Sequence, residues 1–232
     1  MVQYTPPQEI LLDYASGSLP EPLALFVASH LTLAPESRRQ VRDLEAVGGA
    51  MLEDLEPEPV SGEALDALMA RLDDADTGLN ESRCGTEVPA ASDTTAGSPQ
   101  EMPPSRVPQP LRDYLGRQDL ESLAWKERGN QVAEYALFSD YPGFKTRLLR
   151  MRAGARVPSH THQGQEFTLV LQGGFSDGIG HYLPGDVSTA DGRVTHQPVA
   201  DEDEDCICLV VTDAPLKLTG PVGRFLNLFV DF

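Results

Sequence analysis

Four of the five histidines in this 232-residue chain fall between positions 160 and 196. The stretch GARVPSHTHQGQEFTLVLQG spaces its chemistry as Gly154, five residues, His160, one residue, His162, three residues, Glu166, six residues, Gly173. Side chains two apart on a strand project to the same face, so His160 and His162 can converge on one point. Glu166 follows the Gln163-Gly164-Gln165 turn and opens the next strand within reach of that point. His196 would supply a fourth group from further along, with His181 as its competitor; His196 is favoured because turn residues flank it and a strand follows. Three imidazoles and one carboxylate suit a single divalent ion: Zn, Fe(II), Mn or Ni.

Those residues need a β scaffold, and from Leu111 onward the pattern becomes short apolar runs broken by Gly, Pro and Asp. Strands are expected at Ala133–Phe138, Lys145–Arg152, Glu166–Gly173, near Gly180–Tyr182, at Cys206–Thr212 and at Leu226–Phe232. Pro142-Gly143, Gly173-Gly174, Asp177-Gly178, Pro184-Gly185 and Asp191-Gly192 are the turns between them. Many short strands at regular spacing predict an antiparallel sandwich or barrel over residues 111–232.

The first 75 residues read instead as helices. Pro7 opens one that Gly17 ends; a second spans Leu19 to Leu33; a third runs from Pro35 to about Leu55. Gly48-Gly49 weakens the third, which a kink or a close helix contact would explain. A short fourth helix, about Gly62 to Leu72, carries Leu65, Leu68, Met69 and Leu72 on one face, for a partner or for its own core. Residues 76–110 are rich in Pro, Ser, Thr, Gly and Ala and are expected to be a flexible linker.

Asp plus Glu number 36 against 18 Lys plus Arg, a net charge of −18. That balance excludes a conventional nucleic-acid binder, which needs a basic face, and disfavours anionic membranes. Residues 1–79 alone carry fifteen acids against four Arg, a net −11, which suits a basic protein partner. The opening MVQYTPPQEILLDY lacks a basic segment before an apolar stretch, so no signal peptide is expected. No apolar run approaches a membrane span. Cys84, Cys206 and Cys208 make no even framework and are expected to be free thiols in a reducing cytoplasm.

The metal-site spacing resembles the first motif of the cupin family, G-x5-H-x-H-x3,4-E-x6-G, at every named position. The second cupin motif fits poorly: Pro184-Gly185-Asp186 lies well before His196, the local pattern is GRVTH, and no Asn follows. LLDYASGSLPEPLALFVASHLTLAPESRRQVRDLEAVGG, a linker, then HTHQGQEFTLVLQGGFSD and DCICLVVTDAPLKL resemble the ChrR-type anti-sigma factors over nearly the whole chain. The resemblance implies an α+β protein of two domains, a helical anti-sigma-like domain and a jelly-roll cupin barrel. It implies a cytoplasmic regulator that sequesters an extracytoplasmic-function sigma factor and releases it under singlet-oxygen or peroxide stress through a metal-bound cupin. That family's N-terminal zinc motif survives here only as His30, its two cysteine positions being Ala34 and Ser37 and its upstream histidine falling near Thr5. No zinc is therefore expected in the helical domain, and His30 reads as a helix-face residue without a special role. The competing expectation is a metal-dependent cupin enzyme, dioxygenase-like, whose helical domain mediates homodimerisation.

Overall fold

The computed structural model of the chain describes residues 2–81, 107–138, 141–214 and 216–218. Five helices are present among them: α1 (Gln8–Ala15), α2 (Glu21–Leu33), α3 (Pro35–Glu53), α4 (Ala64–Glu81) and α5 (Gln109–Tyr114). The strands are β1 (Lys126–Glu127), β2 (Val132–Ala136), β3 (Lys145–Met151), β4 (His160–His162), β5 (Glu166–Gln172), β6 (Phe175–Ser176), β7 (His181–Tyr182), β8 (Val187–Ala190), β9 (Val199–Ala200), β10 (Cys206–Thr212) and β11 (Leu216–Leu218). The strand expected at 226–232 and Cys84 lie outside the described residues.

A six-stranded antiparallel sheet, β1-β2-β3-β10-β5-β8, forms one wall of the barrel. The pairs β4-β11 and the triplet β7-β6-β9 form the remainder. On the inner face, Met151, Val170, Cys206, Cys208 and Val210 pack against Phe175, Tyr182, Ala155 and Ala200. On the outer face, Leu148, Phe167, Leu169, Leu209 and Val211 join one core with Phe26, Val27 and Leu31 of α2 and Leu111 of α5. This is why β10, CICLVVT, is buried at every position: both of its faces are covered, so it shows a continuous apolar run rather than alternation. Glycine is required at both ends of the metal-site motif. Gly154 and Gly173 hold φ of +68° and +66°, and at Gly173 a Cβ would stand 2.6 Å from the Asp205 carbonyl oxygen.

The compact units differ from the expected domains. Residues Met1–Gly49 and Pro103–Phe232 form one unit, and Ala50–Met102 another. Eight of the thirteen residues of α2 are buried, too many for a helix with a solvated side. Phe26 sets its ring edge-on to Phe167 of β5, 6.0 Å between centroids. The outer face of the main sheet is apolar, and α2 is what covers it. The N-terminal segment adds to this. The Asp186 carboxylate accepts the backbone N–H groups of Gln3, Tyr4 and Leu183, and Tyr4 packs on Tyr182.

His30 is a second correction. It is fully buried rather than a plain helix-face residue. Its Nδ1 lies 2.9 Å from the Gly185 carbonyl oxygen, which can only accept, so Nδ1 carries the proton. Its Nε2 therefore accepts the Ser37 hydroxyl, 2.8 Å away. Burial lowers its pKa against the raising effect of the Gly185 bond. One neutral imidazole thus ties α2 to α3 and to the turn between β7 and β8. Gly48-Gly49 sits inside α3 with open space around both positions among the described residues, so no close contact accounts for them. In the other unit, α4 extends to Glu81, well past the expected end near Leu72 and into the expected linker.

Candidate metal centre

The four predicted groups are brought together. One ligand atom from each of His160, His162, Glu166 and His196 lies within 4.8 Å of all the others. β4 supplies His160 and His162 on one face, β5 starts at Glu166, and an isolated bridge to His160 sets His196 opposite. His160 and His196 exchange both backbone N–H···O bonds, 3.1 and 3.0 Å. His181, the competitor, is half-exposed elsewhere, with Nε2 2.9 Å from the Asp201 carboxylate.

The hydrogen bonds fix how the rings present themselves. His160 Nδ1 donates to the Pro158 carbonyl oxygen at 2.8 Å, which leaves Nε2 bare. His196 Nδ1 donates to the Asp177 carboxylate at 3.1 Å, which likewise leaves Nε2 bare. Burial alone would raise the pKa of Asp177, but bonds from His196 and from the Gly180 and Ile179 amides outweigh it and hold the acid ionised. The two bare Nε2 atoms stand 3.0 Å apart, and His162 Nε2 stands 3.0 Å from that of His196. Facing lone pairs repel unless a cation lies between them. His162 Nδ1 is buried with no hydrogen-bond partner, 3.8 Å from Glu166 Oε2. Desolvation pushes His160 down to about 4 and His162 to about 3, so both are neutral donors across the ordinary pH range. Burial pushes Glu166 up, with Arg147 and His196 pulling it back. Bare buried imidazoles, an orphaned nitrogen and one carboxylate fit a divalent ion of the kind nitrogen–oxygen sites hold. The carboxylate behind His196 is the orienting group such sites use.

The cluster opens on a cavity of about 270 Å³ inside the barrel, lined by His160, Glu166 and His196 together with Val132, Leu149, Met151, Phe175, Cys208, Val210 and Arg147. Two of the residues that matter here were missed in the sequence. Asp177 was read only as half of a turn, and nothing in its spacing announces a partner for His196. Arg147 had a signal: it is a cation inside the strand on the same parity as Leu149 and Met151 in KTRLLRM, with Lys145 at the strand's end.

An antiparallel barrel with a His-x-His strand, a following Glu and a returning His defines a cupin. A model of the ChrR cupin-like domain family matches residues 117–215. The chain is 37% identical over 220 residues to the anti-sigma-E factor ChrR of Cereibacter sphaeroides, covering 95% of this chain and 94% of that one. It is also similar to a solved structure, Rhodobacter sphaeroides SigE in complex with the anti-sigma ChrR. The TM-score is 0.72 at 34% identity, over 92% of this chain and 100% of that one. The chain belongs to the ChrR family.

Proposed function

We propose that this chain is a cytoplasmic anti-sigma factor that holds an extracytoplasmic-function sigma factor inactive. We further propose that His160, His162, Glu166 and His196 hold one divalent metal, Zn first, whose loss or attack by singlet oxygen or peroxide triggers release. The observation that carries the reading is likeness over the full length to a chain solved with its sigma factor bound. Exposed apolar side chains support it: Leu65, Leu68, Met69 and Leu72 form an exposed stripe along α4. Among the described residues no helix is long and apolar enough to cross a membrane.

In this reading the metal supplies a centre that oxidation can disrupt. The chain's own part is to aim the rings: Pro158 and Asp177 fix the tautomers of His160 and His196. Release then needs a path from barrel to helices, and the α2 core and the His30 bonds supply a rigid one. An oxidant can shift sigma binding only if it acts differently on the bound and free states.

The test uses the full chain, because removing the barrel would bare the apolar side of α2. A His160→Ala, Glu166→Ala double variant, which cannot hold the ion, should release sigma without stress, and singlet oxygen should bring no further relief. Normal relief in that variant would place the sensor elsewhere. The cavity beside the cluster supports a second reading, a dioxygenase-like cupin enzyme with a helical dimerisation segment; failure of the unaltered chain to repress sigma together with metal-dependent oxygen consumption would favour it.

A further inference from the structure

We propose that the barrel cavity is a binding site for a small carboxylic acid with an apolar body, its carboxylate held by Arg147. This goes beyond sigma sequestration and depends neither on it nor on a bound metal.

Arg147 is only 6% exposed, and its Nε is buried with no hydrogen-bond partner. A buried guanidinium is costly unless something neutralises it. Glu134, the one other acid on the cavity wall besides Glu166, makes its close ion pair with Arg128, while the charge of Arg147 acts on both carboxylates. Glu166 belongs to the histidine cluster, and with a divalent ion there the balance becomes worse. The ion's two positive charges and that of Arg147 would then face Glu166 and Glu134, and Glu134 already pairs with Arg128.

The strand register shows what stands beside the guanidinium. Arg147 pairs with Val210, Val210 with Thr168, and Thr168 with Ser188. Arg147, Thr168 and Ser188 therefore form one polar row across the inner face, and all three line the cavity. On one side the next rows are apolar or thiol, Leu149 with Cys208 and Met151 with Cys206; on the other, Lys145, Thr212 and Glu166 lead to the histidine cluster. Val132, Val157 and Phe175 complete the apolar wall. A buried cation facing an apolar wall, with two hydroxyls further along its row beyond Val210, selects an anionic oxygen head on a hydrocarbon body. The planar guanidinium favours a two-oxygen acceptor, hence a carboxylate over an alcohol.

The experiment titrates the full chain, metal-free and metal-loaded, with octanoate and with 1-octanol, followed by calorimetry. One octanoate per chain should bind in both forms, at least tenfold more tightly than octanol. Arg147→Met should erase that preference, and Arg147→Lys should keep most of it. Thermal melting checks that each variant folds; if Arg147→Met does not, the octanoate–octanol comparison on the unaltered chain still decides. Equal binding of the two probes overturns the proposal, as does an unchanged preference in Arg147→Met. Failure of octanoate to bind, or binding seen only with metal, overturns it too.

Discussion

His162 and His160 are held neutral by burial, and that has a consequence for the metal-free protein. Their pKa values lie near 3 and 4, against an ordinary 6.5. Between pH 6.5 and about 4 the unfolded chain takes up protons on these rings and the folded chain does not. Their contribution to stability is thus complete above pH 6.5 and is lost as pH falls toward the folded values. Thermal melting of chelator-treated protein should show Tm falling across that window, and His162→Gln should flatten the fall; a Tm independent of pH there would contradict the burial argument. Metal analysis gives a companion result. One ion per chain is expected in the unaltered protein and in His181→Ala, and none in His160→Ala with Glu166→Ala. Stoichiometric metal in the double variant would remove the assignment. At this scale the sequence was informative, because a strand's two-residue period places His160 and His162 together without any knowledge of the rest. Asp177 and Arg147 were less legible, since their roles depend on which strands lie side by side.

Strands β5 and β10 carry the second lesson. Their boundaries were close to those expected, and β10 spans the residues anticipated for it. What the reading did not use was their lack of alternation, which requires both faces to be covered. The missing cover is α2. Treating composition at residues 76–110 as a domain border hid this, since composition reports the ordering entropy of a segment and not what its flanks touch. The same interface gives His30 its role. In the family motif this histidine stands with two cysteines; here Ser37 occupies the second cysteine position and donates to the ring. Ser37→Ala leaves a buried imidazole nitrogen unpaired and should cost about 1–3 kcal/mol, read by denaturant unfolding. Phe26→Ala empties the helix–sheet contact and should cost about 3–5 kcal/mol. Changes near zero in both would mean that α2 is not bound to the barrel as described.

The whole molecule is an acidic protein with a net charge of −18; in its larger unit α2 and α5 lie against the outer face of the main sheet, and the candidate metal site lies inside the barrel. In the proposed account these layers act together: acidic helical segments hold a basic sigma surface, and the barrel, welded to α2, changes state when its metal site is damaged. Electrostatic steering of that kind weakens as the Debye length shrinks from ~10 Å at 0.1 M salt to ~3 Å at 1 M. The most direct measurement is calorimetric titration of the full chain with its cognate extracytoplasmic-function sigma factor, repeated across that salt range. The account predicts a one-to-one complex whose affinity falls as salt rises and whose formation keeps sigma from RNA polymerase core enzyme. Absence of a complex at low salt, or a complex in which sigma still engages core enzyme, would contradict it.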